Sequence, residues 1–210
     1  NYRTGGTISI DSQAAPTLID VAASATVNVI TSAGNVTFVD ANGIDLNESD
    51  ITLDISTTGT GAGFGNISVG GPIGATVDAN DDGVINFDAA AATVSVGQIG
   101  AITLDDILSV TLVGNAGVTL DGDITTSATA AGNQVSVTGT ATITADRIIN
   151  TSDGNGAIDL DDVTGDTPGT GRDLTLDAGT GIVTAQTIGT AAGTDAINAT
   201  TITGTMINLN

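Results

Sequence analysis

Two stretches decide how this chain folds: Gly83-Val84-Ile85-Asn86-Phe87-Asp88-Ala89 and, 89 residues further on, Arg172-Asp173-Leu174-Thr175-Leu176-Asp177-Ala178. Extended without a gap, the match lays 83–121 over 172–210. Identity reaches only 8 of 39 positions, in a composition that inflates such counts. The apolar register says more. Ile85 falls on Leu174, Phe87 on Leu176, Val113 on Ile202 and Val118 on Ile207, so the same inward-facing positions recur. A looser match, with gaps, pairs residues 34–38 with 132–137 and 65–69 with 156–160.

Within the unit, short alternating runs such as Ile51-Thr52-Leu53-Asp54-Ile55 and Leu174-Thr175-Leu176 are separated by runs of Gly, Ala, Asn and Ser. Apolar residues two apart put one face of a strand inward, and small residues make turns. The segment 88–92 is too short for a helix and reads as a corner. A unit with so thin an apolar strip must stack on copies of itself to build a core. The expectation is therefore an all-β chain, a parallel β-helix or β-solenoid spanning 1–210 as a single segment. At about 22 residues per coil it would hold roughly nine to ten coils, about 4.8 Å apart. Short strands with Gly turns also suit an antiparallel β-sandwich array, which is the alternative. The pattern of the first copy continues beyond the residue matching Asn210, so the chain is expected to belong to a longer repeat protein or to stack end to end.

Composition narrows the class. The chain has 210 residues, no Cys, His, Trp or Lys, and 24 acidic residues of which all but Glu48 are Asp. Glu favours helices, whereas the short Asp side chain bonds nearby backbone amides in turns. With three Phe and one Tyr, the interior has to be narrow and aliphatic. The 40% hydrophobic content in regular alternation sets it apart from disordered acidic chains. A net charge of −21, with only Arg3, Arg147 and Arg172 as basic side chains, argues against nucleic-acid binding. It argues equally against anionic membrane surfaces, and no segment has the length and apolarity for membrane insertion as a helix.

The stretch Leu174-Thr175-Leu176-Asp177-Ala178-Gly179-Thr180-Gly181, followed by Ile188-Gly189 and a Thr/Ile-rich strand, resembles the repeats of giant bacterial surface proteins of the filamentous-haemagglutinin-like kind. Segments 122–126 and 131–135 add to the likeness, which covers most of 83–210 and, more thinly, the first third. The resemblance implies an exported bacterial adhesin or fibre, built as a right-handed parallel β-helix and located outside the cell or on its surface.

Two loops carry candidate chemistry. In residues 78–88, Asp78, Asn80 and Asp82 stand at positions one, three and five of a calcium loop, Gly83 at six, and Asp88 follows at eleven. In residues 151–162, Asp153, Asn155, Asp159 and Asp162 supply oxygens around Gly156. Calcium needs six to eight hard oxygens, so both are candidate sites. Both also depart from the pattern: Ala89 takes position twelve in the first, Thr151 position one in the second, and neither is flanked by helices. Any solenoid corner would use the same residues.

Without His or Cys the usual base and nucleophile pairs are missing, and no catalytic residues are assigned. Paired acids such as Asp105-Asp106 and Asp161-Asp162 read as turn residues. Thr-rich runs such as 140–144 and 200–203 raise ice binding, but their spacing along the sequence varies. The expected function is structural: the shaft of a surface adhesin, or a subunit of an extracellular filament or biofilm fibre. It requires no cofactor. The alternative is a calcium-stabilised adhesive module binding a cell-surface or glycan ligand. After these comes a polysaccharide-active enzyme, for which aromatic sugar platforms and basic groups are lacking.

Overall fold

The computed structural model describes residues 2–4, 6–11, 17–19, 25–39, 42–46, 50–58, 64–75, 83–100, 107–126, 134–167, 171–189 and 197–209. All regular elements among them are strands, and every ladder is parallel. The chain is a parallel β-solenoid with three faces. Face one stacks β1 (Tyr2–Thr4), β4 (Thr26–Thr31), β7 (Thr52–Ser56), β10 (Gly83–Asp88), β12 (Ile107–Val113) and β15 (Gln134–Thr138), in that order. It continues through the first half of β18 (Ala157–Gly165), then β20 (Ile182–Ile188) and β22 (Met206–Leu209).

Face two stacks β2 (Ile8–Ile10), β5 (Val36–Phe38), β8 (Ile67–Val69), β11 (Thr93–Val96), β13 (Gly117–Leu120), β16 (Ala141–Ile143) and the second half of β18. Face three holds β3 (Thr17–Ile19), β6 (Ile44–Leu46) and β9 (Ile73–Ala75). Its other stack is β14 (Ile124–Thr125), β17 (Arg147–Asn150), β19 (Arg172–Asp177) and β21 (Ile197–Thr203). Ile99 links the two by single bridges to Ile73 and Ile124.

The two-residue period explains the interior. In β7 and β10 alternate side chains are buried, and Ile55, Phe87 and Leu112 stand directly over one another. The three faces close on one aliphatic cluster in which Phe38 and Phe87 are the bulkiest members. From Phe87 to Leu112 and from Leu112 to Val137 the coil advances 25 residues, from Val137 to Leu160 it advances 23, and from Ile55 to Phe87 it advances 32. Coil steps thus run at or above about 22 residues, and complete coils are slightly fewer than the nine to ten expected. The reason is that a coil carries strands on three faces, and the step between coils varies while strand register is kept. At the last coil Met206, Ile207 and Leu209 of β22 are exposed. No helix among the described residues is long and apolar enough to cross a membrane.

The aligned segments 83–121 and 172–210 begin on different faces: β10 lies on face one and β19 on face three. What they share is a corner. After β10, the Asp88 Oδ1 accepts from Ala90 N at 2.9 Å, Ala92 N donates to Ala89 O at 2.9 Å, and Ala90 has φ 47°. After β19, Asp177 Oδ1 accepts from Gly179 N at 3.0 Å, Gly181 N donates to Ala178 O at 2.6 Å, and Gly179 has φ 56°. One Asp-initiated turn with a left-handed second residue serves two edges of the solenoid.

Candidate functional site

The outward side chains fall into three arrangements: polar bonds between coils, a row of hydroxyls, and a groove. The first accounts for many of the Asp and Asn residues. Asn35 Oδ1 accepts from Asn66 N at 2.9 Å, Asn66 Oδ1 from Thr93 N at 3.2 Å, and Asp123 Oδ1 from Ile148 N at 2.9 Å. Asp146 Oδ1 accepts from Asp173 N at 2.9 Å and Asn155 Oδ1 from Thr180 N at 2.9 Å. Each bond joins a coil to the next and satisfies an amide at a corner or near the start of a strand. Asp161, at the bend of β18, ties the coils on both sides, accepting from Gly139 N at 2.8 Å and from Gln186 Nε2 at 2.8 Å. The single ion pair, among the described residues, joins Arg172 to Asp166 at 2.8 Å. The Arg172 hydrogen bond holds the Asp166 carboxyl below the ordinary range.

The second arrangement runs along face two. Ser9, Thr37, Ser68, Ser95, Thr119, Thr142 and Thr164 stand in register, each over the last, on strands whose flanking residues point inward. Along the sequence their spacings are 28, 31, 27, 24, 23 and 22 residues. Sequence spacing alone hides this row, because turn length varies while strand register does not. The centre of face two thus carries no acid among its described strands. On face one, by contrast, Asp54 lies diagonally from Asp88, and burial followed by the charge of Asp88 raises the Asp54 carboxyl above its ordinary range.

The candidate calcium residues are placed as follows. Asp78, Asn80 and Asp82 lie outside the described residues. Asp88 ends β10 and caps its own corner through Ala90 N. In the second loop, the Thr151 hydroxyl is buried and donates to Gly156 O at 2.8 Å, which closes the turn. Asp153 is exposed in that turn, and Asn155, at φ 52°, spends its side-chain oxygen on the next coil. Asp159 and Asp162 follow on β18, Asp159 outward on face one and Asp162 at the bend. Among the described residues no group of three or more acidic side chains converges as a metal site would require.

The third arrangement is a groove of 380 Å³ at the corner between faces two and three. Its walls include Gly70, Gly97, Gln98, Asp121, Gly122, Asp123 and Arg147, drawn from successive coils. Arg147 forms one end. Its Nε donates to Leu120 O at 3.1 Å, Nη1 to Asp146 O at 3.0 Å, and Nη2 to Asp121 O at 2.6 Å and Thr144 Oγ1 at 3.1 Å. A cation is therefore fixed at one end of a groove whose lining also includes Asp121 and Asp123. Nothing in the sequence flagged this groove, since its residues lie far apart along the chain and meet only through the coil step.

Comparison with protein families, with curated proteins and with solved structures finds no match.

Proposed function

We propose that the chain is shaft material: a segment of a bacterial surface adhesin stalk or of an extracellular filament, with no catalytic role. The observation that carries this reading is the direction in which its side chains are spent. Asp, Asn and Arg side chains bond from coil to coil around a continuous aliphatic interior, so cohesion runs along the stacking axis. The resemblance to filamentous-haemagglutinin-like repeats points the same way and suggests export to the cell surface. The partner such a shaft needs is more of the same. A further coil of a parent chain, or the end of a second copy, would cover Met206, Ile207 and Leu209 on β22.

Electron microscopy of the native material tests this. Smooth stalks or fibres of uniform width, about two strand lengths across, are expected. Isolated compact particles on the cell or in the medium would end the reading.

A further inference from the structure

We propose that the groove between faces two and three binds one or two units of a neutral saccharide, a function additional to the shaft role and independent of it. The cavity of 380 Å³ lies at the small end of the range for ligand pockets, roughly 300–1,000 Å³. It thus suits a small polar molecule or a short piece of a chain.

The lining chemistry selects the ligand class. Asp121 and Asp123 bring acceptors to the lining, and the Gln98 amide and Arg147 guanidinium bring donors. An inorganic or carboxylate anion would meet two carboxylates. A divalent cation would meet a guanidinium and only two carboxylates, with no third converging among the described residues. An uncharged polyol has hydroxyls that donate to the carboxylates and accept from the amide and guanidinium, so it satisfies both kinds of wall.

These groups are held in place before any ligand arrives. Ser95 Oγ donates to Asp121 Oδ2 at 3.2 Å, Ile148 N to Asp123 Oδ1 at 2.9 Å, and Gln98 Nε2 to Gly100 O at 3.3 Å. A carboxylate has about four lone-pair positions, so one bond fixes it and leaves capacity for a ligand. Two of the lining glycines answer to a separate constraint. A Cβ on Gly97 would lie 2.8 Å from Gly71 O, and one on Gly122 would lie 2.2 Å from Gln98 N. Close stacking of the corners therefore excludes side chains from both places. No aromatic ring lines the groove, so each site binds weakly, with a millimolar dissociation constant. A repeated shaft can turn weak sites into avidity.

The test is an amide NMR titration of the full chain with galactose, N-acetylglucosamine and lactose, with calcium chloride and glucuronate as competitors in chemistry. Saturable shifts at Gly97, Gln98, Gly122 and Asp123 with at least one sugar are expected. Asp121→Asn, which keeps an acceptor for Ser95, should weaken that binding about fivefold to tenfold by turning charge-assisted bonds into neutral ones. Gln98→Ala serves as a second variant if the first fails to fold. The proposal is overturned by no saturable sugar response up to the order of 100 mM. It is equally overturned if calcium or glucuronate alone shifts these amides, or if both variants bind as the parent does.

Discussion

Asp54 shows what one carboxylate costs on a crowded acidic face. Burial, then the negative charge of Asp88, makes it hold its proton more tightly in the folded chain than the ordinary value of 3.8. A raised folded value means that ionisation opposes folding, so stability from this group grows as pH falls through the folded value and is absent at neutral pH. Asp54→Asn should therefore raise the melting temperature at pH 7 by about 1–3 °C, with the gain shrinking as pH approaches the ordinary carboxylate range. Thermal melts at pH 7 and at about pH 4 check this; a lower Tm for the variant at pH 7 would refute the assignment. Arg147 is the opposite case, a charge that donates to three carbonyls and one hydroxyl and has one N–H to spare. Arg147→Met should cost about 1 kcal/mol, because it removes donors from corner carbonyls of two coils that water can partly replace. Arg147→Lys should restore less than half, since an ammonium lacks the planar fork. Denaturant melts of the two variants measure both effects.

At the scale of an element, strand and corner fail in different ways. Phe87 of β10 is fully buried between Ile55 and Leu112. Phe87→Ala should cost about 3–5 kcal/mol and loosen the coils on both sides of β10. At a corner the cost is polar. The buried Thr57 hydroxyl donates to Gly65 O at 2.6 Å, eight positions further along the chain. Thr57→Val keeps the volume and leaves that carbonyl unpaired, a loss of about 1–3 kcal/mol. Chemical denaturation of the two variants separates the mechanisms. A loss for Thr57→Val below about 0.5 kcal/mol would mean that water takes over the carbonyl.

For the molecule as a whole, −21 charges on a slender rod make electrostatic self-repulsion a leading destabilising effect. Raising monovalent salt from about 0.01 M to about 0.15 M shortens the screening length from about 30 Å to about 8 Å. The melting temperature should rise by roughly 2–8 °C over that interval, with sodium and potassium equivalent. A flat response would show that self-repulsion contributes little to the stability of the fold.

Strand positions, the inward register of Ile85, Phe87, Leu174 and Leu176, the parallel solenoid and the Asp-started corners could all be read from residue order. They depend on two-residue alternation and turn chemistry, both local. Coil length could not be read: the 89-residue match aligned corners of one type on different faces, and similar corners occur at more than one edge. The row from Ser9 to Thr164 and the groove around Gln98, Asp121, Asp123 and Arg147 were decided by tertiary structure alone. Strand ladders fix which residues meet across steps of 22 to 32 positions, and turns of unequal length erase that order from the sequence.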